Sequence, residues 1–138
     1  MQTRVLVPSG VLGLGFDSDA LARGVAAGPD IIAIDGGSTD SGPFYLGTGT
    51  SKYSRSVCRD EWRQLLEARA AAGVPLVIGT CGTCGTASTV DWMFEITCEL
   101  AAELGQTLCV ARLYSDVPVE ALRHARDADR LTPLDPAP

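Results

Sequence analysis

Two carboxylates five residues apart, Asp35 and Asp40, bracket Gly36, Gly37, Ser38 and Thr39 in the run DGGSTD. Such a pair suits general acid and base work, ligation of a divalent cation, or acceptance of hydrogen bonds from hydroxyls; the plain alternative is a turn whose aspartates cap loop amides. Gly36 and Gly37 let backbone approach a ligand, and Ser38, Thr39 and the loop amides can hold an oxyanion. The continuation GPFYLGTGTSKYSR adds Tyr45, Lys52, Tyr53 and Arg55, the densest cluster in the chain able to grip a carboxylate or phosphate. Lys52, the only lysine, reads as an anion anchor, as a desolvated base, or as a solvated surface residue.

A second group lies in GTCGTCGTAST, where Cys81 and Cys84 form C-G-T-C with Gly82, Thr83 and Gly85 around them. Three readings stand side by side. A redox pair would use a lowered thiol pKa near a helix start. A zinc site would need two more ligands, with Cys58 and an aspartate recruited because the single histidine, His124, lies far along the chain. The third treats both thiols as small packing residues in an anion-binding turn. Gly13 and Gly15 make a G-x-G after an apolar run, but Ser18 stands where a dinucleotide fingerprint needs its third glycine, so a tight turn is the better reading.

The elements that must position these groups follow from periodicity and caps. Strands are expected over 4–7, 31–35, 74–78 and 108–113, with 31–35 buried on both faces as a continuous apolar run suggests. Helices are expected from Asp17 or Ser18 to about Ala26, from a Ser54 or Ser56 cap to Gly73, from a Ser88 or Thr89 cap to Gly105, and over 119–127. Trp62, Trp92, Met93, Phe94, Cys98 and Cys109 read as core, His124 as surface. Strands alternating with helices imply a mainly parallel, three-layer α/β fold with Rossmann-like βα repeats, and put every glycine-rich loop on the edge where ligands bind. The expected organisation is one α/β domain over 1–130 and a proline-rich tail over 131–138.

Composition narrows the field. With 46% hydrophobic and 20% charged residues the 138-residue chain can bury a core without staples. A net charge of -6 and no basic cluster argue against a nucleic-acid partner. No apolar run reaches membrane-spanning length and no signal-peptide layout opens the chain, so a cytoplasmic setting is expected, in keeping with an odd number of cysteines, five.

The runs PSGVLGLGF, PDIIAIDGGSTDSGPFYLGTGTSKYSR and VPLVIGTCGTCGTASTVDW together resemble the amino-terminal portion of the acyclic terpene utilisation family. Members of that family are generally much longer. The resemblance therefore implies either a truncated chain or a hetero-oligomer in which a second polypeptide supplies the rest, and it implies a hydratase or lyase role on a small carboxylate or acyl-thioester. On that expectation Asp35 or Asp40 serves as acid or base, Ser38 and Thr39 bind oxyanion, and Lys52 and Arg55 neutralise a carboxylate. The 79–85 loop then cradles the thioester, with Cys84 as nucleophile or ligand. The rivals are a non-catalytic subunit that completes a partner's site and a thiol redox protein. No cofactor and no metal site is assigned.

Overall fold

The structure, a computed structural model, describes residues 2–37 and 43–133. In chain order it contains β1 (Val5–Leu6), α1 (Ser18–Ala26), β2 (Ile31–Asp35), α2 (Pro43–Thr48), α3 (Arg55–Ala72), β3 (Leu76–Gly79), a 3-10 turn (Cys81–Thr83), α4 (Ala87–Glu103) and α5 (Val119–Asp127). The three strands form one parallel sheet in the order β1-β2-β3, with Leu6 opposite Ile32, Ile32 opposite Leu76 and Asp35 opposite Gly79. Mixed helix and parallel strand of this kind belong to the α/β class.

Local chemistry sets the helix ends. The Asp17 carboxylate accepts the amides of Asp19 and Ala20 at 2.8 and 3.0 Å and starts α1, and Ser54 accepts the Val57 amide at 3.4 Å to start α3. Gly73 closes α3 at φ 68, a left-handed turn that favours glycine. The start of α4 differs from expectation. It begins at Ala87, ahead of Ser88, and its first amide is held by the Asp116 side chain at 2.5 Å. That cap comes from 29 residues away, where no local pattern signals it.

The core lies on one side of the sheet. Ile32 and Ile34 of β2 join Cys58, Trp62, Leu65 and Leu66 of α3, Met93, Ile96 and Leu100 of α4, and Leu12 and Leu21 in one cluster. Each such large apolar side chain contributes roughly 1.5–3 kcal/mol on burial. The Trp62 indole nitrogen donates to the Thr97 hydroxyl at 2.9 Å, fixing α3 against α4 inside the core. Outside it, Arg55 pairs with Glu99, and Arg59 and Arg63 pair with Glu103.

The opposite face is open, and β2 is therefore not enclosed on both sides. Ile31 and Ala33 are half-buried, while Val5 and Val77 beside them are 55% and 49% exposed. Strands added in the order 1-2-3 keep right-handed crossovers on the same face, so α1 and α3 cover the side that Leu6, Ile32 and Ile34 occupy. The fourth strand expected over 108–113 does not form. This segment faces β3 across a cleft of about 480 Å³ lined by Leu66, Leu76, Ile78, Met93, Phe94 and Leu108, and among the described residues no backbone hydrogen bond joins it to β3. Cys109 on it, and Cys98 on α4, are exposed rather than core. Trp62 and Met93 are buried as expected, and His124 is exposed.

Candidate functional site

Parallel register brings the ends of β2 and β3 together, and with them the groups that carry chemistry. Asp35 stands opposite Gly79 at the carboxyl edge. Its Oδ1 accepts the Gly37 amide at 3.0 Å and the Thr80 hydroxyl, while Oδ2 accepts no hydrogen bond among the described residues. One carboxylate oxygen is thus fixed from two sides, on a residue that is exposed.

The loop after β3 is built against β2 with little room to spare. The Gly36 amide donates to the Gly79 carbonyl at 2.6 Å, and the Thr83 amide reaches the Gly36 carbonyl at 3.4 Å. A side chain at Gly37 would place its Cβ 2.2 Å from the Thr83 Cα, so only glycine permits this approach. Thr80 and Thr83 hold φ of 42 and 83, values that a β-branched residue adopts only under constraint. The Thr83 hydroxyl in turn accepts the Lys52 amide at 3.0 Å, which draws the segment before α3 into the same edge. The Lys52 ammonium lies 5.7 Å from the Tyr53 ring centroid.

Two positions on this edge that would suit an anion are occupied by the chain itself. In the G-x-G turn after β1, the amides of Gly13 and Gly15 donate to the two oxygens of Glu61 at 2.7 and 2.8 Å. Glu61 is buried, so the turn carries an internal carboxylate where a dinucleotide fold would hold phosphate. At the α4 start, Asp116 takes the corresponding place. In the 3-10 turn the amides of Thr83, Cys84 and Gly85 are spent on the carbonyls of Thr80 and Cys81. Of the expected cradle around Gly82, Thr83 and Gly85, the amides of Thr83 and Gly85 are therefore engaged within the turn.

The thiols behave as packing groups. Burial pushes the Cys81 thiol up to about 11, against a lesser opposing pull from its own backbone amide. Cys84 is buried, its Sγ within 3.6, 3.7 and 3.9 Å of the Thr86 hydroxyl, the Thr89 hydroxyl and the Gly82 carbonyl. All five cysteines are free. Cys58 sits in the core, pushed up to about 11 by burial and by the Glu61 charge. Among the described residues no group of three or more His, Cys, Asp or Glu is placed to hold a metal ion.

Several expected site residues lie elsewhere. Arg55 is paired with Glu99 at 2.7 Å across the α3–α4 seam. Tyr45 is on α2, its ring edge-on to Phe44 at 5.2 Å, and Tyr53 packs on Gly13. Ser38, Thr39 and Asp40 lie outside the described residues. Three residues that sequence reasoning passed over shape the site: Thr80, Glu61 and Asp116. Thr80 reaches Asp35 only because β2 and β3 lie side by side and Thr80 turns into the left-handed region, which the sequence does not show. Glu61 and Asp116 act over 46 and 29 residues, with no local signal.

Comparison with protein-family models, with curated proteins and with solved structures gives no match, and the residues themselves carry the functional reading. Among the described residues no helix is long and apolar enough to cross a membrane.

Proposed function

We propose that the chain takes part in addition or elimination of water at a small carboxylate or acyl-thioester, with Asp35 as the base. The observation that carries this reading is the half-fixed carboxylate: Oδ1 is held by Gly37 and Thr80, while Oδ2 accepts no hydrogen bond among the described residues, at the carboxyl edge of a parallel sheet. Elimination breaks a C–H bond beside the carbonyl and a C–O bond one carbon further on. Asp35 takes the proton, the electron pair passes through the enolate to form the double bond, and the hydroxyl leaves as water with a proton from an acid. Asp40 is assigned that acid role, Ser38 and Thr39 the oxyanion, and Lys52 the charge of a substrate carboxylate. The apolar cleft reaching Cys81 supplies room for a branched acyl chain.

Membership of the acyclic terpene utilisation family, a three-layer Rossmann-like arrangement and a cytoplasmic setting belong to the same proposal, the last supported by five free thiols. The test is α-deuterium incorporation into a 3-hydroxybutyryl thioester in D2O. The wild type exchanges the α-proton, and Asp35→Asn loses roughly a hundredfold or more of that rate. No exchange by the wild type, or an unchanged rate in Asp35→Asn, overturns the assignment.

A second reading, a subunit that completes a partner's site, is favoured by the exposed apolar residues Leu113, Val117, Val119 and Leu122. The thiol redox reading has less support, because a Cys81 thiol pushed up to about 11 is protonated at neutral pH.

A further inference from the structure

Among the described residues, those other than glycine with a positive φ are Thr80 at 42, Thr83 at 83 and Asp129 at 53. Aspartate tolerates the left-handed region, because its short polar side chain bonds locally, but a β-branched residue there is strained. Both threonines fall in the loop after β3, beside two glycines that suit the same backbone, Gly82 at 62 and Gly85 at 65.

The hydroxyls account for threonine in these places. Thr80 stands in the capping position of the 3-10 turn, with φ 42 and ψ 45, yet its side chain makes no capping hydrogen bond there. It reaches across to β2 instead and donates to Asp35 Oδ1, 45 residues away. The Thr83 hydroxyl accepts the Lys52 amide at 3.0 Å, 31 residues away. Each threonine thus uses its side chain on a segment carrying Asp35 or Lys52. Glycine, which the backbone favours at both places, could make neither contact. Strained residues persist where their surroundings over-determine them, and they cluster at functional sites. The Gly37 amide donates to the same Asp35 oxygen at 3.0 Å, but it belongs to the turn that Asp35 itself opens. Thr80 supplies the hold from β3.

We propose that Thr80 is a positioning residue for Asp35, kept in a left-handed backbone at the expense of stability so that the carboxylate is held from a second strand. This rests on the reading of Asp35 as the base and adds what orients it.

The experiment compares Thr80→Gly, Thr80→Val and Thr80→Ser in the full chain. Glycine relieves the backbone and removes the hydroxyl, valine keeps the β-branching and removes the hydroxyl, and serine keeps the hydroxyl. Two readouts need no substrate. Three-bond proton couplings at Asp35 show one side-chain rotamer in the wild type and in Thr80→Ser, and averaged values in Thr80→Gly and Thr80→Val. In urea, Thr80→Gly unfolds at a higher midpoint than Thr80→Val. The third readout is α-deuterium exchange of the 3-hydroxybutyryl thioester. Its kcat falls about tenfold or more in Thr80→Gly and Thr80→Val with KM little changed, and Thr80→Ser stays within about threefold of the wild type. A single Asp35 rotamer in Thr80→Val, or a midpoint for Thr80→Gly no higher than for Thr80→Val, overturns the proposal. So does exchange at the wild-type rate in Thr80→Gly. A wild type that exchanges no α-proton overturns Asp35 as the base, and the two substrate-free readouts then decide the role of Thr80.

Discussion

The carboxylate of Glu61, in the second turn of α3, accepts the amide of Gly13 at 2.7 Å and closes the turn after β1 onto the helix. With the Gly15 amide on the other oxygen, the turn is a small anion-binding nest filled from within. Glu61→Ala leaves two amide donors unmatched and lowers unfolding free energy by about 2–4 kcal/mol. Sulfate then raises the melting temperature of the variant more than that of the wild type, because the vacated nest accepts it. Equal sulfate responses in a thermal-shift titration contradict this.

Gly37 and Thr83 define the closest approach in the site. A methyl group at residue 37 meets the Thr83 backbone at 2.2 and 2.5 Å, where neither backbone can yield cheaply. Gly37→Ala displaces the 80–85 loop from β2 and costs about 1–3 kcal/mol, the usual penalty of overpacking. Denaturant unfolding reads the loss, and an unchanged midpoint contradicts the packing described.

The Cys58 thiol is neutral in the fold and pushed up to about 11 from an ordinary 9.0. Its stabilisation is fully present below pH 9 and is lost as pH rises through the folded value, because the unfolded thiol ionises first. Chemical denaturation from pH 8 to 11 shows falling stability, on the order of 2–3 kcal/mol from this thiol. Cys58→Ala flattens that limb, and an equally steep limb in the variant assigns the loss elsewhere.

The seam between α3 and α4 carries Arg55 on Glu99, and Arg59 and Arg63 on Glu103. The two guanidiniums hold the Glu103 carboxyl below its usual range, so this contribution is present at neutral pH and fades as pH falls through that lowered value. The pairs are half-exposed, and salt screens them. Glu103→Gln lowers the melting temperature at low ionic strength by more than it does in 1 M salt. An equal loss at both shows that the pairing contributes through packing instead.

Where structure depends on neighbours in sequence, the chain was readable. Asp17, Ser54 and Gly73 bound their helices as expected, the 119–127 helix has the expected bounds, and β2 spans its expected range. Helix α2 escaped notice inside a glycine-rich loop, although Pro43 at its first position was a signal. Pairing across distance was not readable. The alternation of 108–113 resembles a strand, yet a ladder needs a partner edge, and here a cleft intervenes. Asp35 was found from its place at a strand end. Thr80, which fixes one of its oxygens, depends on which strands lie side by side.

The proposed chemistry requires a ligand to meet the edge around Asp35. Titrating the isotope-labelled chain with a 3-hydroxybutyryl thioester and following its amide resonances tests this most directly. Saturable shifts at Gly36, Gly37 and residues 80–85, lost in Asp35→Asn, are the predicted result. Shifts confined to 108–127, or none at millimolar thioester, contradict it.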